Sequence, residues 1–207
     1  DGPELNAMQR VYWQVRVWDN NGKATDWSEP AFWEMGILKP EQWTASWITM
    51  ENEKNTKDSK PSHFLRKDFS VSKKIKTARA YVSALGLYEL YLNGKKVSDD
   101  LFTPGWTSYK NHIQYQTYDV TSMIEGNENT IGAILGDGWY RGNIGFKGQH
   151  NYYGDKLALI AQLHIVYTNG SEDWVVTDNS WKATTGPIVF SDIYNGETYD
   201  ARMKLTG

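Results

Sequence analysis

The chain of 207 residues contains no cysteine. That excludes a disulfide framework, a thiol nucleophile and a thiolate metal site. It leaves the compartment open, because a chain of this length buries enough surface to fold without staples. Long hydrophobic runs are missing too. The longest apolar stretches are four or five residues, so no segment reads as a transmembrane helix. Neither sign of charge dominates: 22 Lys and Arg against 25 Asp and Glu give a net charge of -3. The one basic run is Lys73-Lys74-Ile75-Lys76. This argues against nucleic acid as a partner, since such binding rests on neutralising phosphates. No stretch of ten residues carries helical periodicity. The first residues, Asp1-Gly2-Pro3-Glu4, lack the basic and apolar regions of a signal peptide. The expectation is either a removed leader or a piece of a longer protein.

Catalytic and metal motifs are equally sparse. Of the four histidines, His63, His112, His150 and His164, no two have metal-ligand spacing on a helix. There is no Gly-x-Ser-x-Gly elbow. Gly136-Asp137-Gly138 misses the dinucleotide pattern and is not expected to open a helix, which argues against a phosphate cradle.

What the chain has instead is short strands, turns and aromatics, with 10 Trp, 13 Tyr and 18 Gly. Val11 to Trp18 alternates from Trp13 on, Asp19-Asn20-Asn21-Gly22 is a hairpin turn signal, and Asp26 to Met35 reads as the returning strand. Two strands have too little face to bury alone. Residues 1–38 are therefore expected to be the end of a sandwich domain whose other strands lie outside this chain. Their apolar set, Trp13, Val15, Val17, Trp27, Phe32 and Trp33, is expected to be covered either by the second unit near Trp43 and Trp47 or by self-association with the same segment of another molecule. A second unit, residues 39–207, opens at Trp43 to Ile48. Glu51 to Ser62 reads as an exposed loop. Strands follow over 64–71, 78–84 and 88–92, the last closed by an Asn93-Gly94 turn with Lys95-Lys96-Val97 returning. Further strands are expected at 113–118, 129–135, 157–168, 173–176 and 181–183. Val120 to Ile124 is expected to form one helical turn capped by Thr121 or Asp119. Many short strands with frequent turns predict an all-β sandwich.

The stretch Leu135 to Asp155 holds six glycines and five aromatics in 21 residues. Trp139, Tyr140, Tyr152 and Tyr153 have two readings. They either close over the end of the sandwich as a hydrophobic cluster, or form a platform for the apolar face of a sugar, with Asp137, Arg141, Asn143 and Asn151 for its hydroxyls. Carboxylates near turns (Asp99, Asp100, Asp137, Asp155, Asp192, Glu197, Asp200) also read two ways. Most cap backbone N–H groups, or those within 135–155 and 192–200 supply oxygen ligands to calcium.

Several long segments carry a family resemblance. They are Ala84 to Gly94, Thr103-Pro104-Gly105-Trp106-Thr107-Ser108-Tyr109, Tyr115 to Thr121, Leu135 to Gly142, Tyr153-Gly154-Asp155 and Ile193 to Arg202. From Trp43 onward the chain resembles the N-terminal β-sandwich module of bacterial α-L-rhamnosidases, and Tyr12 to Gly36 resembles the last strands of the fibronectin-like or immunoglobulin-like domain preceding it. The resemblance implies a galactose-binding-like jelly roll, preceded by a β-hairpin from a truncated domain. It implies a module of a glycoside hydrolase whose catalytic site lies in a separate helical (α/α)₆ barrel, so this chain is expected not to hydrolyse anything by itself. Some such modules bind rhamnose with calcium, while others brace the catalytic domain.

On that basis the candidate sugar-binding residues are Trp106, Asp137, Trp139, Tyr140, Arg141, Asn151 and Tyr153, and the candidate calcium ligands are Asp155 and Glu197. The expected partners are a rhamnose-containing glycan and the catalytic domain of the same parent chain. The expected location is periplasmic, cell-surface or secreted. A purely structural scaffold and a non-enzymatic adhesion sandwich are the alternatives.

Overall fold

A computed structural model describes residues 2–51, 60–145 and 148–205. Most of the loop expected at 51–62 therefore lies outside the described residues. The chain divides into two units, Asp1–Thr44 and Ala45–Gly207.

In the first unit, β1 (Arg10–Trp13) pairs antiparallel with β2 (Ala31–Glu34). The turn forms at Asp19, whose carboxylate accepts the backbone N–H of Asn21 and of Lys23. The regular ladder stops at Trp13 and does not continue to Trp18 as the alternation predicts. Side chains replace it. The Val15 N–H donates to Ser28 Oγ at 2.9 Å and the Val17 N–H to Thr25 Oγ1 at 3.4 Å. The apolar set named above is 43% to 58% exposed.

The second unit holds β3 (His63–Ser70), β4 (Ile75–Leu85), β5 (Leu87–Leu92), β6 (Lys95–Lys96), β7 (Gln116–Asp119), β8 (Glu128–Gly136), β9 (Ala158–Tyr167), β10 (Glu172–Val176), β11 (Lys182–Thr185), β12 (Ile188–Asp192) and β13 (Gly196–Tyr199). One sheet runs β10-β9-β4-β7, the other β11-β3-β8-β5-β6, and β12 and β13 form a separate hairpin. All pairings are antiparallel. The result is the expected all-β jelly-roll sandwich.

Period-two burial produces it. In β5, Tyr88, Leu90 and Leu92 face the core, and in β8 Asn129, Ile131, Ala133 and Leu135 do the same. Opposite them, Ala80, Val82 and Ala84 of β4 lie beside Leu163, Ala161 and Leu159 of β9. Leu157, Leu159 and Leu163 are fully buried. Truncating such a leucine to alanine costs about 2–5 kcal/mol.

Three local expectations shift. The strand expected at 113–118 starts only at Gln116, because Ser83 Oγ donates to the Gln114 carbonyl at 2.6 Å where a ladder bond would be. The helical turn is 3₁₀, Thr121–Met123, and neither expected residue is its cap: the N-cap is Val120, without a side-chain cap bond, while Asp119 one residue earlier accepts from the Thr121 N–H at 3.1 Å. The strand expected at 181–183 begins at Lys182. The Trp181 indole instead packs against the core and donates to the Val176 carbonyl at 2.9 Å.

Lys67 of β3 reaches across to the turn after β10, placing Nζ 2.8 Å from Asp178 Oδ2 and 3.3 Å from the Val176 carbonyl. Lys67 and Ser180 hold the Asp178 carboxyl down at about 2. A depressed carboxyl contributes stability above its unfolded value of 3.8 and loses it as pH falls through about 2. The contribution is modest, because Asp178 is 43% exposed on its side chain. The denaturation midpoint of Lys67→Met should therefore lie below that of the parent at neutral pH, and the gap should close on acidification. A gap that does not depend on pH would assign the loss to packing of the lysine stem.

Cross-strand partners fix which loops share an end of the sandwich. Leu85 opposes Ala158, Leu87 opposes Gly136 and His63 opposes Leu135. The end of β4, the starts of β3, β5 and β9 and the end of β8 thus lie together. After β6 the chain runs back beside β5, with the Tyr88 N–H donating to the Thr103 carbonyl at 2.9 Å. The loops 97–115 and 137–157 meet at this end.

Candidate functional site

The site begins where β8 stops. Contrary to the sequence expectation, Gly136-Asp137-Gly138 does open a helix, the four-residue α1 (Gly138–Arg141). Gly138 has φ +55, and a Cβ there would strike the Leu87 side chain. Only glycine enters the turn this way. The Arg141 N–H donates to the Asp137 carbonyl and the Gly142 N–H to the Gly138 carbonyl, both at 3.1 Å.

Asp137 and Arg141 then close on each other. Arg141 Nε lies 2.7 Å and Nη2 2.5 Å from Asp137 Oδ1, and both side chains are 2% exposed. This corrects their expected role. Sealed from solvent and joined as an i,i+4 ion pair, they do not present groups to a sugar; they lock α1. Asp192 does similar work from β12. It is buried, its Oδ2 accepts from the Asn143 N–H at 2.8 Å, and its Oδ1 accepts from the N–H groups of Tyr194 and Asn195.

With α1 fixed, its aromatics join those of the 97–115 loop. The Trp106 and Trp139 rings stack, with centroids 5.5 Å apart and planes 10° from parallel. Phe102 packs on Trp139 at 5.7 Å. Trp106 Nε1 donates to Tyr153 Oη at 3.0 Å. Tyr109 contacts Tyr140 at 5.1 Å and Tyr153 at 4.9 Å, and Tyr152 meets Tyr153 edge-on at 4.9 Å. Gly154 permits the closure, since a Cβ there would occupy the space of the Tyr140 ring. Burial, followed by the neighbouring Tyr153 and Tyr140, pushes the Tyr109 phenol up to about 12. Burial and then the charge of Asp155 raise Tyr140. Both phenols stay neutral across the physiological range.

The two readings of the aromatic loop are thereby divided among its residues. Tyr109 is buried and Tyr140 half-buried, as packing requires, whereas Phe102, Trp106 and Tyr152 are 56%, 50% and 61% exposed. The structure brings together Trp106, Trp139, Tyr140 and Tyr153 of the expected set. Asn151 lies beside them, exposed, with φ +58 and its N–H on the Arg141 carbonyl at 2.8 Å. Phe102 and Tyr109 were not anticipated. The signal is their place beside and at the end of the segment Thr103 to Tyr109 that carries the family resemblance.

Next to Phe102 lies a cavity of about 420 Å³. Glu89, Asp100, Asp192 and Glu197 contribute carboxylates, and Gly136, Gly138 and Gly196 leave room. The expected calcium pair does not form a ligand set here. Glu197 lines this cavity while Asp155 sits by Tyr140. Among the described residues no three His, Asp or Glu side chains gather as a metal site requires. Among the described residues no helix is long and apolar enough to cross a membrane.

Comparison with known proteins follows these features. The family model described as the α-L-rhamnosidase N-terminal domain matches residues 73–207, and that of the Rha78A-like, N-terminal immunoglobulin domain matches residues 1–39. An α-L-rhamnosidase of Formosa agariphila is 38% identical over 99% of this chain, which covers 23% of that protein. The native α-L-rhamnosidase of Aspergillus terreus superimposes with a TM-score of 0.95 at 38% identity, over 100% of this chain and 24% of that one. The Streptomyces avermitilis α-L-rhamnosidase complexed with L-rhamnose has a TM-score of 0.92 over 100% of this chain and 36% of its own, and at 24% identity shares the fold. The chain spans about a quarter of the length of the curated relatives it matches. The chain belongs to the α-L-rhamnosidase N-terminal domain family.

Proposed function

We propose that this chain is an accessory, non-catalytic recognition module of an α-L-rhamnosidase, and that its aromatic end holds rhamnose-containing glycans for the catalytic domain of the same enzyme. The observation that carries the reading is the Trp106 ring. It is half exposed, backed by Trp139, and pinned through its indole N–H to Tyr153. A ring held this way loses little entropy when a sugar face lies on it. Asn151 and the carboxylates of the adjoining cavity supply hydroxyl partners. A relative, the Streptomyces avermitilis enzyme, has been crystallised with L-rhamnose. Such a module works where its polymers are, in the periplasm, at the cell surface or in the medium.

A second reading is a docking face that braces the catalytic domain. The exposed Leu101 and Phe102, 72% and 56%, favour it. Titration with L-rhamnose, with and without calcium, separates the two. A single stacked monosaccharide gives an affinity of about 1 mM, or roughly -4 kcal/mol. Trp106→Ala should abolish most of it while the thermal transition stays put. A flat titration at tens of millimolar, roughly -2 kcal/mol or weaker, with calcium present, would leave docking as the function. Saturation only with calcium would show that the sugar site includes a cation.

A further inference from the structure

The outer face of the five-stranded sheet carries a groove of about 810 Å³. Strand register builds it. One cross-strand row reads Lys182, Arg66, Gly132, Tyr91, and the next reads Thr184, Phe64, Ile134, Glu89. Gly132 has no side chain, so the first row is hollow between Arg66 and Tyr91. Phe64 and Ile134 form an apolar floor beside the hollow.

The charges around the groove neutralise one another. Arg66 Nη2 donates to the two oxygens of Asp68 at 3.0 and 2.8 Å, Thr130 Oγ1 donates to the same carboxylate at 2.6 Å, and Lys182 adds its charge. Glu89 takes the Lys96 ammonium and the Tyr91 hydroxyl. The Asn93 side-chain amide is committed to Met123, Asn129 and Thr130. An apolar floor with internally satisfied polar groups around it calls for no charged ligand. It suits a packed polypeptide, as at an interface between domains of one chain.

The C-terminal segment points to which polypeptide. The Asp200 N–H donates to the Pro187 carbonyl at 2.8 Å, and the Asp200 carboxylate accepts from the Arg202 N–H to cap the 3₁₀ turn Ala201–Met203. These bonds tie the segment beside the junction of β11 and β12, and Leu205, 45% exposed, comes to line the groove. This chain spans about a quarter of its relatives, and its family is described as their N-terminal domain. A segment tethered within a few residues of a surface meets it at high effective concentration. We propose that the groove is an intramolecular docking surface, filled in the complete α-L-rhamnosidase by apolar side chains of the polypeptide that follows residue 207. The proposal rests on membership of that family and stands apart from the rhamnose reading, which concerns the aromatic end.

Hydroxyl-radical footprinting of this chain and of the complete enzyme tests it. Phe64, Tyr91 and Leu205 should be oxidised in the 207-residue chain and should lose most of that reactivity in the complete enzyme. Thr184 is exposed and lines the groove. Thr184→Arg should restore the reactivity in the enzyme and lower its unfolding midpoint, while the midpoint of the 207-residue chain stays in place. Equal oxidation in the two forms would overturn the proposal, because the groove would then be open in the enzyme. So would protection that survives Thr184→Arg, or an equal loss of stability in both forms, which would give Thr184 a role only within β11. Protection that grows with concentration of the short chain would make the occupant a second copy and would also overturn it. Oxidation of Trp106 and Trp139 reports the aromatic end separately, so either reading can fail alone.

Discussion

Replacing Arg141 with methionine is expected to destabilise the jelly roll by about 3–5 kcal/mol, the cost of leaving a buried carboxylate without its cation. Asp137 and Arg141 are each 2% exposed and meet at 2.5 Å, so the remaining Asp137 has no access to water while the fold is intact. The loss should appear as a shift of the urea midpoint at neutral pH. Asp137→Leu in the Arg141→Met background should recover part of the stability, because removing both charges costs less than stranding one. The change should also reach the aromatic end. α1 carries Trp139 and Tyr140, and Asn151 is tied to the Arg141 carbonyl. Trp106 fluorescence in the folded variant should shift with the loosened stack. An Arg141→Met protein as stable as the parent would show that the pair is not a structural lock.

Deleting residues 1–38 should convert a self-associating protein into a monomer. Six large apolar side chains of the first unit, Trp13, Val15, Val17, Trp27, Phe32 and Trp33, are 43% to 58% exposed. Aromatics cover both faces of the β1–β2 ribbon: Tyr12 packs with Phe32 on one, Trp13 with Trp33 on the other. At about 25 cal/mol per Å² of apolar area, covering them is worth several kcal/mol. A two-stranded ribbon also has two open edges for a second copy to pair with. Light scattering across a concentration series decides it. A parent chain that remains a monomer at the highest concentration would rule out pairing through this segment.

Much of the sandwich is legible in the residues. Short apolar runs between turn signals predict the strands 88–92 and 129–135, and the structure forms them as Leu87–Leu92 and Glu128–Gly136 with every second residue in the core, as a strand with one wet side requires. The Asn93-Gly94 turn is local chemistry and equally readable. The extended run Trp13 to Trp18 misleads for the same reason. Its pattern is that of a strand, but the side chains of Ser28 and Thr25 capture the N–H groups that the ladder would use.

The site is where local pattern gives out. From the sequence alone, glycines and aromatics at 135–155 mark a loop with close approaches, and the absence of cysteine removes thiol nucleophiles and thiolate metal sites. Whether Asp137 and Arg141 face a ligand or each other depends on a single helical turn that exists because Gly138 can take φ +55 against Leu87, a residue 51 positions earlier. Likewise the stack of Trp106 on Trp139 and the row Lys182, Arg66, Gly132, Tyr91 join residues from distant segments. Periodicity assigns a side chain to a face, but register and loop closure choose its neighbours, and those are set only when the two sheets pack.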